Sequence, residues 1–116
     1  MSAALQLINN SVTNYKTATE RAEKLVDKLC YECGLRKLPF MVSEMKEDLL
    51  NGFEDDLLSE IIDRTARAPR PSWNYYAYIR NKCARNDCHD LLSFTRMEAN
   101  SMHARKRYDE ILGYYD

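Results

Sequence analysis

The sequence predicts an all-α fold: a single compact helical domain of about five helices spanning residues 1–116. Three features carry that prediction. Chain-breaking residues are scarce, three Gly and three Pro in 116 residues, while the strong helix formers Leu, Ala, Glu, Lys and Arg are abundant. Apolar residues recur at three- and four-residue steps, the period of a helix face. At this length and 45% hydrophobic content, one core can form without disulfide or metal staples.

The opening residues, up to about 18, give no firm assignment. Leu5, Leu7, Ile8 and Val12 can form a short helix, the polar Asn9-Asn10-Ser11 interrupts it, and a flexible lead-in over residues 1–13 fits as well. From about Asn14 to Cys33 the pattern firms. Tyr15, Ala18, Ala22, Leu25, Val26, Leu29 and Cys33 share one face, and Gly34 follows as a C-terminal cap. After the basic linker Leu35 to Pro39, residues Ser43 to Asn51 read as a short helix. Ser43 is its expected N-cap, Glu44, Glu47 and Asp48 lie near its positive end, and Asn51-Gly52 stops it.

Glu54, Asp55 and Asp56 open a third helix with Leu57, Leu58, Ile61, Ile62 and Thr65 as its buried face. Glu60 with Arg64 and Asp63 with Arg67 are i,i+4 acid-to-base pairs in the favourable order. Ala68-Pro69-Arg70-Pro71 ends this helix, because a residue before proline is pushed out of the helical region. Ser72 then caps a fourth helix from Trp73 to about Arg85, with Tyr75, Ile79 and Cys83 assigned to the packed stripe and Arg80 at its edge. Asn86-Asp87 is a break, and His89 to Phe94 carries no clear pattern. A last helix is expected from about Thr95 to Leu112, with Met97, Ala104, Tyr108 and Ile111 on one side and Gly113 as its stop.

Charge is distributed unevenly along the chain. Between Ser43 and Asp63 stand eight acids and one base, Lys46, whereas Arg64 to Arg85 holds six bases, four large aromatics and no acid, so the formal net charge of −1 conceals a dipole. Arginine offers planar, permanently charged donors for phosphate oxygens, and an aromatic ring offers a face on which a base can stack. The candidate nucleic-acid contacts are therefore Arg64, Arg67, Arg70, Arg80, Lys82 and Arg85, with Trp73 and Tyr78 as stacking surface. Contacts made mainly to phosphate bind with little sequence preference and weaken steeply with salt.

The run from Leu49 to Cys83 resembles the C-terminal domain of the DnaD-like (DnaB/DnaD) replication-initiation and primosome proteins of Gram-positive bacteria and their phages. The matching features are a short helix ending in Asn51-Gly52-Phe53, an acid-started helix carrying Leu58, Ile61 and Ile62, and Ala68-Pro69-Arg70-Pro71-Ser72-Trp73-Asn74-Tyr75, followed by Ile79 four residues beyond Tyr75. Arg80 stands where that family usually has Leu, and Cys83 where it has a final Trp. The resemblance implies a phage-type accessory module of DNA replication that binds single-stranded or forked DNA and contacts other replication proteins.

Other chemistries find weaker footing. Cys30 and Cys33 have the spacing of a zinc knuckle, and Cys83 with Cys88-His89 can complete a site, but Cys33 falls on an apolar helix face and the second pair is irregularly spaced, so buried thiols and no metal are expected. Two histidines, three scattered glycines and no catalytic spacing predict a protein that is not an enzyme and needs no cofactor. The absence of a run of about 18 apolar residues, or of a basic segment followed by an apolar one, predicts a cytoplasmic chain without membrane contact. The alternative to DNA binding is a small helical adaptor or inhibitor that docks on a nucleic-acid-processing protein through the acidic half. Pairing of that half with the basic half of a second copy also admits a homo-oligomer.

Overall fold

The computed structural model describes the backbone of residues 3–112 and the side chains of residues 17–102. Among them are five helices and no strand: α1 (Ala3–Cys33), α2 (Pro39–Leu50), α3 (Asp55–Ala66), α4 (Trp73–Arg85) and α5 (Leu91–Leu112). The fold is all-α, as its composition and periodicity predict. α3 is the central element, touched by α1 on one side and by α4 and α5 on the other, while α2 lies along α1. Its apolar face explains that position, since Leu57, Leu58, Ile61, Ile62 and Thr65 are all fully buried. The Thr65 hydroxyl, the polar member of the face, donates to the Ile61 carbonyl at 2.8 Å and so enters the core satisfied.

Three of the helices end by the same device. After α1, α2 and α4 comes a residue with positive φ: Gly34 at 66°, Gly52 at 98° and Asp87 at 54°. The next residue sends its N–H back to the last turn, Leu35 to Cys30 at 3.0 Å, Phe53 to Asp48 at 3.1 Å and Cys88 to Cys83 at 2.8 Å. This satisfies carbonyls that would otherwise be orphaned, and in each case the donor's own side chain lies in or against the core. Asp87 is the costly member, because a Cβ strains the left-handed conformation. Asp87→Gly is therefore expected to raise stability by about 0.5–1 kcal/mol, read as a higher urea midpoint at unchanged slope.

Helix starts depart from expectation three times. α1 begins at Ala3 and not near Asn14, its backbone running helical without a break through Asn9-Asn10-Ser11. α2 begins at Pro39, four residues before Ser43, because proline's fixed φ suits the first helical position; Leu38 precedes it with no side-chain cap. Ser43 is thus inside the helix, and Glu44, Glu47 and Asp48 sit beyond its first turn. α5 begins at Leu91, not Thr95, because the Asp90 carboxylate accepts from the Ser93 N–H at 2.7 Å, a cap that also holds the Asp90 carboxyl below its usual pKa. The Ala104, Tyr108 and Ile111 side chains and Gly113 lie outside the described residues.

α3 and α4 start where the sequence places them. Asp55 and Asp56 occupy the first turn of α3, where negative charge meets the positive end of the helix dipole. Ser72 caps α4, its hydroxyl accepting from the Tyr75 N–H at 3.1 Å, a bond worth about 1 kcal/mol. Ion pairs tie the layers together: Arg21 of α1 to Asp55, and Lys28 to Asp63 at 2.8 Å. Asp63 therefore faces α1, and the expected Asp63–Arg67 pair does not form; Arg67 approaches Glu60 instead, at 3.7 Å.

Candidate nucleic-acid interface

Which face α4 buries decides what the basic, aromatic segment presents. Tyr76 and Cys83 are fully buried and Ile79 packs against the core, whereas Tyr75 is 39% exposed. The packed stripe is centred one residue later than Tyr75-Ile79-Cys83 implies. Arg80 is the reason. Its guanidinium turns inward to Asp48 at 3.4 Å and Glu44 at 3.3 Å and lies 5.8 Å from the Tyr76 ring, leaving its side chain 15% exposed. With a charged side chain accommodated there, α4 rotates Tyr76 into the core and Tyr75 out.

Tyr75 then lines a cleft of about 390 Å³ between α3, α4 and α5. Arg64 and Arg67 come from the end of α3, Ala68 and Pro69 from the linker, Tyr75, Tyr78, Ile79 and Lys82 from α4, and Phe94, Met97 and Glu98 from α5. Steps of three and four residues put Tyr75, Tyr78 and Lys82 on one helix face, and Tyr78 is 61% exposed. Among the described residues, three bases and one acid line the cleft, over a floor of Ile79, Phe94 and Met97.

The three bases are held differently. Arg64 is clamped: its Nε donates to Glu60 at 3.0 Å, its two terminal nitrogens grip both oxygens of Glu98, one of them at 2.7 Å, and its guanidinium lies 5.3 Å from the Phe94 ring. The Glu98 and Glu60 carboxylates hold that guanidinium firmly charged, raising its pKa. Arg67, with 67% of its side chain exposed, reaches only Glu60, and Lys82 forms no ion pair among the described residues.

The eight sequence-derived candidates thus divide among different surfaces. Arg64, Arg67, Tyr78 and Lys82 converge on the cleft. Arg70 and Arg85 are exposed but do not line it. Trp73 is half-buried against α2, 5.4 Å edge-on from Phe40 and 5.0 Å from Tyr76. Arg80 lies on that same side, 5.9 Å from the Trp73 ring, and its burial removes it from the exposed donors expected of the sequence. Two cleft residues escaped that reading: Tyr75, assigned to the core, and Glu98, which lies in another helix. The spacing of Tyr75, Tyr78 and Lys82 was the available signal for the first; nothing local marks the second.

The cysteines sit elsewhere. Cys30 Sγ rests 3.9 Å from Met41 Sδ and Cys88 Sγ 3.8 Å from Met97 Sδ. Burial pushes the Cys83 thiol up to about 11, so it stays protonated at neutral pH. No group of three His, Cys, Asp or Glu side chains able to hold a metal comes together among the described residues. No helix among them is long and apolar enough to cross a membrane. Comparison with protein-family models, with curated proteins and with solved structures finds no match for this chain.

Proposed function

We propose that this chain is a non-catalytic DNA-binding accessory module of replication, engaging single-stranded or forked DNA through the α3–α4–α5 cleft with little sequence preference. One observation carries the reading: Arg67, Lys82 and the outward-facing rings of Tyr75 and Tyr78 share one cleft. The cations suit phosphates, and the rings suit bases that are not already stacked in a duplex. The likeness of residues Leu49 to Cys83 to the DnaD-like domain supports a place in replication.

Fluorescence anisotropy of a labelled single-stranded oligonucleotide and its duplex, at low and moderate salt, tests this. Micromolar, salt-sensitive affinity favouring the single strand is expected. Arg67→Gln with Lys82→Gln should weaken it by about tenfold or more while leaving the thermal midpoint near that of the parent, both side chains standing outside the core. Affinity insensitive to salt, or unchanged in the double variant, contradicts the reading.

A second reading, a protein-docking adaptor or inhibitor, is favoured by α2, which leaves Phe40 and Leu50 exposed on the same face as Glu47. Loss of a captured nucleic-acid-processing protein on Phe40→Ala with Leu50→Ala, with DNA affinity intact, would select it.

A further inference from the structure

We infer that Glu98 is a built-in plug of the cleft: its carboxylate occupies the anion position that Arg64 offers to a phosphodiester of the bound strand, and the strand enters by exchanging one for the other. This rests on the nucleic-acid reading and adds how that site is regulated.

The geometry is that of an occupied anion site. Arg64 presents the forked pair of donors that matches phosphate as well as carboxylate, and both prongs are taken by Glu98, one at 2.7 Å. Glu98 is the one acid among the described residues lining the cleft. It reaches Arg64 from another helix, 34 residues away, so the pair also ties α5 to α3 across the cleft. Both side chains are about one-third exposed, 35% and 36%, which leaves a path for an incoming oxygen and for the departing carboxylate.

Arg64 keeps its aim when Glu98 leaves. Glu60 still accepts from Nε at 3.0 Å, and the Phe94 ring still lies alongside the guanidinium. Exchange therefore replaces one bidentate anion with another and uncovers a third cation beside Arg67 and Lys82. At rest the cleft offers those two alone among the described residues, and a ligand without an anionic group has nothing with which to displace the plug.

The test is the affinity of the intact protein for a labelled oligothymidylate across a salt series. Glu98→Gln keeps the size of the side chain and removes its charge. It is expected to bind about five- to tenfold tighter than the parent, with a log–log salt slope steeper by about 0.7, the contribution of one more phosphate contact on a single strand. Glu98→Ala, at a better helix former, carries the same expectation should the glutamine variant fold poorly. The gain must vanish in Arg64→Gln/Glu98→Gln, which should bind like Arg64→Gln alone. A gain that survives without Arg64 signals a loosened α5 and overturns the inference. Parent binding with no gain in either Glu98 variant overturns the plug but leaves the cleft reading standing. Absence of binding by parent and variants alike overturns both.

Discussion

Replacing Tyr76 by alanine is expected to cost about 3–5 kcal/mol, while the same change at Tyr75 costs less than about 1 kcal/mol and instead weakens DNA binding by about tenfold. The two tyrosines are neighbours in sequence and opposite in role. Tyr76 is fully buried, its ring tilted against Trp73 at 5.0 Å, with its hydroxyl 2.9 Å from Met45 Sδ and 3.3 Å from Asp48, so truncation leaves a large cavity where α4 meets α2. A loss of that size is a large share of the 5–15 kcal/mol typical of a domain. Tyr75 contributes a ring to the cleft and little to the core. Urea unfolding and oligonucleotide anisotropy on the two variants should move in opposite patterns. Equal destabilisation by both would mean that α4 buries the other face.

The second large effect is a pH dependence with a sign opposite to that of Asp55 and Asp90. Asp48 is 8% exposed, and burial pushes its carboxyl up to about 6 against the pull of Arg80 and the Tyr76 hydroxyl, with Glu44 adding repulsion. A carboxyl whose folded pKa lies above its ordinary 3.8 binds its proton more tightly when folded. Its contribution to stability is therefore greatest below about pH 4 and is lost as pH rises through about 6. Asp55, held low by Arg21, and Asp90, held low by the Ser93 N–H, work the other way and lose their contribution as pH falls.

Asp48→Asn removes the titration while retaining shape. Stability relative to the parent should rise by about 2–3 kcal/mol between pH 4 and pH 7.5, the upper limit being the gap between the two pKa values converted at 1.36 kcal/mol each. Urea denaturation of both proteins at the two pH values reads this difference directly. A gap that stays constant with pH would show that Arg80 keeps Asp48 ionised throughout.

What was legible in the sequence is what local chemistry controls. The α3 face follows from its own five residues, and the Pro-rich break with Ser72 fixes where α4 starts, because period and capping act within a few residues. The Gly34 and Gly52 endings were visible for the same reason. Long-range pairing was not. Nothing near Arg80 announces that Asp48, 32 residues earlier, will draw it inward, and without that pair an arginine marks a helix edge. The rotation of α4, and with it the exposure of Tyr75, followed from that hidden partner. The start of α5 was obscured because Leu91 and Leu92 remain exposed, so its first turn carries no amphipathic signal. Of the candidate site, the cations and Tyr78 were readable from composition, but their division between cleft, open surface and α2 contact is set by tertiary packing.

Mapping amide chemical-shift changes in the isotopically labelled protein on addition of a short oligothymidylate tests the central claim most directly. Perturbations concentrated on residues 64–69, 75–82 and 94–98, fading as salt is raised, are the predicted result. No perturbation at millimolar ligand, or one centred on the exposed face of α2, would contradict it.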